Sequence, residues 1–154
     1  MSGIIGGAGS KSGVIGTTEL DYEEGTCTLT STDAHGSGSG GNLSTTMTAN
    51  YTKIGRAVTV VLEKYNINKT GMTSGNDFYL IGLPFVNGTY AAAGGMASAA
   101  LGTGGTYGYT VVCEGGASWF RFAENLNASY WDFVTVGNIT DGWLDLVITI
   151  TYFV

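Results

Sequence analysis

The sequence predicts an all-β fold, an antiparallel β-sandwich of jelly-roll type with an extended N-terminal arm. Three observations lead there. Gly accounts for 26 of 154 residues and Pro for 1, while Thr, Val, Ile and aromatic residues fill much of the rest, a mixture suited to strands joined by tight turns. The chain runs from Arg56 to Ile67 without Gly or Pro, as a long central strand would. The closing segment alternates, with Leu144, Leu146, Ile148, Ile150 and Tyr152 on one face and Asp145, Val147, Thr149, Thr151 and Phe153 on the other.

The length fits one domain, expected to bury roughly 70% of its unfolded surface. Charged residues are only 12%, about half the usual share of ~25%. So little charge must be offset by surface hydroxyls and amides, or by hiding surface against other copies. With 44% hydrophobic residues, a thin β-domain favours the second. The formal net charge of −6 with 6 Lys and Arg argues against a nucleic-acid partner, which needs clustered positive charge, and against anionic membranes. No run approaches the ~18 apolar residues of a membrane-spanning helix. The first residues lack the basic start and continuous apolar core of a secretory signal. Cys27 and Cys113 read as two buried thiols of a protein made in a cytoplasm rather than as a disulfide.

Residues 1–17 form the expected arm, and residues 18–154 the β-domain. Gly3-Ile4-Ile5-Gly6 and Gly13-Val14-Ile15-Gly16 flank Ser10-Lys11-Ser12, two apolar hooks on a permissive backbone. Disordered tails are poor in Ile and Val, so Ile4, Ile5, Lys11, Val14 and Ile15 are the candidate anchoring residues. Glu19–Gly25 is acidic and reads as a solvated turn before a first strand over Cys27–Thr32; it lacks the spacing of a calcium loop. His35 sits in a Gly/Ser-rich loop without companions at metal-ligand spacing. Ser44–Tyr51 is a Thr-rich strand, Lys53–Arg56 a turn, and the central strand follows with Val58, Val60 and Leu62 on one face and Val61, Tyr65 and Ile67 on the other, both expected to be covered.

Phe78–Phe85 reads as a second apolar strand closed by Pro84, and Asn87-Gly88 as a reversal. Residues 89–106 are rich in Ala and Gly and favour close backbone packing over a helix, as at a crowded symmetry axis. Tyr107–Cys113, Trp119–Ala123 and Tyr130–Val136 read as further strands before the closing one.

Catalysis finds little support. Polysaccharide cleavage needs two carboxylates roughly 5–10 Å apart, and Glu114, Glu124, Asp132, Asp141 and Asp145 show no such pairing in sequence. A Ser-His-Asp system would depend on His35, in a loop too permissive to hold a base. Trp119, Tyr130 and Trp131 follow polar turns, where aromatic rings can stack on sugars or pack at a subunit interface. They are the candidate host or glycan contacts, with Trp143 assigned to the core.

Four spaced segments carry a resemblance: Asp21-Tyr22-Glu23-Glu24-Gly25-Thr26, the Tyr51-Thr52-Lys53-Ile54-Gly55-Arg56 turn with Val58-Thr59-Val60, Gly82-Leu83-Pro84-Phe85, and Ile150-Thr151-Tyr152-Phe153-Val154. In this order they resemble the C-terminal β-domain of bacteriophage tail fibres and related phage surface proteins. Cys27 departs from the pattern, standing where such domains often carry Trp. The resemblance implies a homotrimeric virion structural protein with neither cofactor nor catalytic residues. Because the β-domain begins close to Met1, the arm is the expected attachment to another virion protein, as in a capsid decoration or head fibre. The alternative is a tail-fibre adhesin that binds a host surface receptor.

Overall fold

Strict alternation makes the closing segment the spine of the molecule. In the computed structural model it is β9, Trp143–Phe153, and Leu144, Leu146, Ile148, Ile150 and Tyr152 are all at most 1% exposed. The structure describes residues 21–33, 42–101, 108–125, 131–140 and 143–154, and only the main chain of Leu43, Asn125, Trp131 and Trp143. The other strands, in chain order, are β1 (Tyr22–Thr32), β2 (Leu43–Ile54), β3 (Ala57–Asn68), β4 (Tyr79–Ile81), β5 (Ala92–Ala99), β6 (Tyr109–Cys113), β7 (Trp119–Asn125) and β8 (Trp131–Phe133). Among the described residues one 3-10 turn, Val136–Asn138, precedes β9. No α-helix occurs among the described residues.

Every ladder is antiparallel, and the strands follow one another in the order β4-β1-β2-β3-β9-β5-β6-β7-β8. β4 also pairs with β7, which closes the first eight into a barrel and leaves β8 as an appendage on β7. The all-β, antiparallel expectation therefore holds, while the jelly-roll sandwich expected from the sequence is corrected to a closed barrel. The reason is β4, whose residues Tyr79, Leu80 and Ile81 bond β1 on one side and β7 on the other. Closure removes the unpaired edges that a sandwich would have to protect.

A second corner lies in β5. Ala92–Gly94 pair with β6 and Gly95–Ala99 with β9, so the strand passes from one neighbour to the other at Gly94-Gly95. A Cβ on Gly94 would meet the Thr149 carbonyl oxygen and lie 2.7 Å from Ile150 Cβ. Close backbone packing in this small-residue stretch, expected from sequence, is what β5 shows.

Other elements depart from the sequence reading. β1 starts at Tyr22, so Glu23 and Glu24, expected in a turn, are strand residues; Tyr22 donates to Glu24 (2.7 Å) and Tyr51 to Glu23 (2.5 Å). The strand expected over Phe78–Phe85 shrinks to β4, because Gly82 turns to φ +105 and its α-carbon packs onto the Thr28 carbonyl. In β3 a bulge falls between Lys64 and Ile67, with Asn66 at φ 58 and its N–H bonded to Asp145 Oδ1 at 2.8 Å. The inserted residue sends Ile67 to the interior with Val58, Val60 and Leu62. Val61 and Tyr65 stay 43% and 53% exposed, so the expected cover of the outer face is absent from the single chain. Both cysteines are free, Cys27 half-buried and Cys113 buried. The arm over residues 1–17, His35 and Asp141 lie outside the described residues.

Candidate functional site

Two outer surfaces of the barrel stand out, and strand order fixes their relation. The ladders of β1, β2, β3, β9 and β5 align their outward residues in rows. One row runs Tyr22, Ile54, Ala57, Phe153; the next Glu24, Thr52, Thr59, Thr151; a third Thr26, Asn50, Val61, Thr149, Gly95; a fourth Glu63, Val147, Ala97. Within β3, β9 and β5 the acidic and basic residues are Glu63, Lys64 and Asp145. Thr59 and Thr151 satisfy each other, hydroxyl to hydroxyl, at 2.8 Å. Ile54, Val61, Val147 and Phe153 are each at least 41% exposed. Hydroxyls, methyls and glycine thus cover a broad face with little charge.

A cavity of about 420 Å³ opens at one end of this face, lined chiefly by Arg56, Tyr90, Ala91, Ala93, Thr151 and Phe153. Its wall is held from behind by Asn87, which is 3% exposed. The Asn87 side-chain amide donates to the Tyr90, Cys113 and Glu114 carbonyls at 2.9, 3.1 and 3.0 Å. Gly88 N–H donates to the Phe153 oxygen at 2.6 Å, and Gly116 N–H to the Gly88 oxygen at 2.7 Å.

The second surface is on β7. Trp119 and Arg121 alternate with the buried Phe120 and Phe122, so both face outward. Trp119 meets Tyr79 edge to face, centroids 5.1 Å apart. The Arg121 guanidinium lies 3.1 Å from the Phe133 ring centroid and 5.7 Å from that of Trp119. It pairs with Asp77 at 3.3 Å and with Glu114, and the Tyr79 hydroxyl donates to Asp77 at 3.2 Å. Burial, followed by the nearby Asp77 charge, raises the Tyr79 phenol above its ordinary pKa. The result is an aromatic platform with a fixed cation and two carboxylates beside it, able to stack on a flat apolar face and bond hydroxyls at its rim. In the eight-stranded ring β7 stands four positions from β3, so this platform and the charge-poor face lie on opposite sides.

Of the residues expected to contact host or glycan, the structure places Trp119 in this platform, half-buried. Trp131 has only its main chain described, paired with Asn125. Tyr130 lies outside the described residues, as do Ile4, Ile5, Lys11, Val14 and Ile15. Sequence reasoning missed Arg121, Asp77, Tyr79 and Phe133, and weighed Glu114 only as a catalytic carboxylate. The alternation of Trp119-Phe120-Arg121-Phe122 could have marked Arg121 as outward-facing; its partner Asp77 is 44 residues away and only the fold brings it near.

On β7 itself, Glu124 is 7% exposed and its Oε1 has no hydrogen-bond partner among the described residues. No group of three or more His, Cys, Asp or Glu residues positioned to hold a metal occurs among the described residues, and no helix there is long and apolar enough to cross a membrane. Comparison with protein families, with curated proteins and with solved structures finds no match for this chain.

Proposed function

We propose that this chain is a structural protein of a phage particle's surface, assembling as a homotrimer through the outer face of β2, β3, β9 and β5 and fastened to another virion protein by its N-terminal arm, as capsid decoration or head fibre. The charge-poor face is the observation that carries this reading. Copies with a net charge of −6 repel one another, so they associate most easily where carboxylates are sparse and apolar side chains are exposed. Val61 and Val147 lie centrally in that face and stay 43% and 41% exposed in the single chain. The resemblance to phage fibre domains supports the location on a particle and the threefold state.

The test is sedimentation of the purified protein beside Val61→Glu/Val147→Glu. A trimer for the parent and a monomer with unchanged strand content for the variant is the expected result. A monomeric parent would sink the assembly. Gold-labelled antibody on purified particles should decorate the head, and the absence of label would remove the virion assignment.

A second reading, the tail-fibre adhesin, is favoured by the Trp119–Arg121 platform on the side opposite the assembly face. In that case label is confined to the tail, and Trp119→Ala lowers host adsorption at least tenfold while the trimer still forms. Neither reading assigns the chain an enzymatic step or a cofactor.

A further inference from the structure

We propose that the cavity between Tyr90 and Phe153 is the seat of the Val14–Ile15 hook of the chain's own N-terminal arm. The described chain begins beside the cavity's end of the barrel: the Asp21 carbonyl accepts from Gly55 N–H at 2.7 Å, and the next residue after Gly55, Arg56, lines the cavity. From Tyr22 an exposed row of side chains leads across the barrel wall, Tyr22 beside Ile54, Ile54 beside Ala57, Ala57 beside Phe153. Tyr22, Ile54 and Phe153 are 55%, 48% and 59% exposed, and Tyr90 at the far wall is 85% exposed. A strip of apolar surface therefore joins the point where the arm meets the barrel to a preformed apolar cavity.

The reach fits. Crossing from β1 to β9 takes three strand steps of ~4.8 Å, about 14 Å. The six residue-to-residue steps from Ile15 to Asp21 span up to about 20 Å when extended. The proximal hook, flanked by Gly13 and Gly16, supplies two branched aliphatic side chains and no charge, which suits walls of Ala, Tyr and Phe. The cavity wall is held in place before anything binds, by the Asn87 amide and the Gly88 main chain, so little ordering is needed on that side. The distal Ile4-Ile5 hook and Lys11 are left for the particle. The inference narrows the arm's role in the proposed assembly, yet its test needs only purified protein, so it succeeds or fails apart from the virion assignment.

The experiment pairs Ile15→Cys with Ala93→Cys in a Cys27→Ser chain, oxidised with copper-phenanthroline and followed on non-reducing gels and by peptide mass. Docking predicts a disulfide within one chain, forming at least tenfold faster than in the Ile4→Cys/Ala93→Cys control. A rate no faster than the control, or a disulfide joining two chains, overturns the proposal. As a measurement that leaves the barrel untouched, Ile15→Ser should raise amide exchange at Ala91–Ala93 several-fold over the parent; unchanged exchange also counts against docking.

Discussion

Gly94 and Gly95 are adjacent in β5, yet the barrel predicts opposite consequences for giving each a side chain. In Gly94→Ala the new Cβ would lie 2.7 Å from Ile150 Cβ and 2.8 Å from Ile150 Cα, with the Thr149 carbonyl oxygen closer still. Carbon atoms prefer ~3.5–4.0 Å, so β9 must move by about 1 Å, and β9 is the strand whose inner face fills the core. Overpacking of this kind costs roughly 1–3 kcal/mol; since main chain must shift, about 3 kcal/mol is expected. At ~2–4 °C per kcal/mol for a domain of this size, the melting midpoint should fall by roughly 6–12 °C. With a urea slope of ~2 kcal/mol/M, the denaturation midpoint should fall by about 1.5 M. In Gly95→Ala the Cβ meets nothing within 4 Å, and replacing a strand glycine should raise stability by up to ~0.5–1 kcal/mol. Both variants are compared with the parent at one protomer concentration, because association shifts apparent stability. Equal losses in the two, or a Gly94→Ala loss below ~0.5 kcal/mol, would refute the close β5–β9 approach and the corner built on it.

Asp33, 2% exposed, accepts the main-chain N–H groups of Asn42 and Thr73, each at 2.6 Å. Burial pushes its carboxyl up, but those donors outweigh burial and hold it below the ordinary value. A depressed pKa adds stability above the unfolded value of ~3.9 that is lost as pH falls through the folded value. Asp33→Asn should therefore cost about 3 kcal/mol at neutral pH and flatten the acid side of the stability profile; an unchanged profile in urea titrations would remove Asp33 as its source. Burial pushes the Cys113 thiol up to about 12 and, less strongly, raises Cys27. Iodoacetamide at pH 8 should label half-buried Cys27 first and Cys113 only on unfolding, and comparable rates by peptide mass would contradict the barrel interior.

The parts of this fold legible in sequence are those whose signal is local. β9 announces itself because every second residue from Leu144 to Tyr152 enters the core, and the run of Ala and Gly marks the close approach made by β5, though not that the segment is a strand. Ile67 was not legible: alternation puts it with Val61 and Tyr65, and only the bulge at Asn66, bonded to Asp145 on a strand 79 residues away, turns it inward. Glu23 and Glu24 look like a turn because acidic residues usually mark loops, but both stay exposed on successive positions of a strand, bonded to Tyr51 and Tyr22. Closure depends on β4, three residues hidden in a longer apolar run, whose two partners, β1 and β7, come from distant parts of the chain. The platform fails for the same reason. Trp119 was visible as an aromatic after a turn; Arg121 gains its meaning from Asp77 and Phe133, which periodicity cannot bring together.

Barrel closure also limits how the proposed trimer can be built. In a ring of three every contact is heterologous, so each protomer must offer two different patches that meet around the axis. The assembly face divides naturally along β9. On one side β2 and β3 present Asn50, Thr52, Thr59 and Val61; on the other β5 presents Gly95, Ala97 and Ala99. Three copies leave least room nearest their axis, and β5 is the strand with least side chain to place there. With β5 inward, β7 is carried away from the axis by its position in the ring, two strands beyond β5. The Trp119–Arg121 platform would then remain open on the outside of the proposed trimer, so assembly through one face leaves the other free for contact.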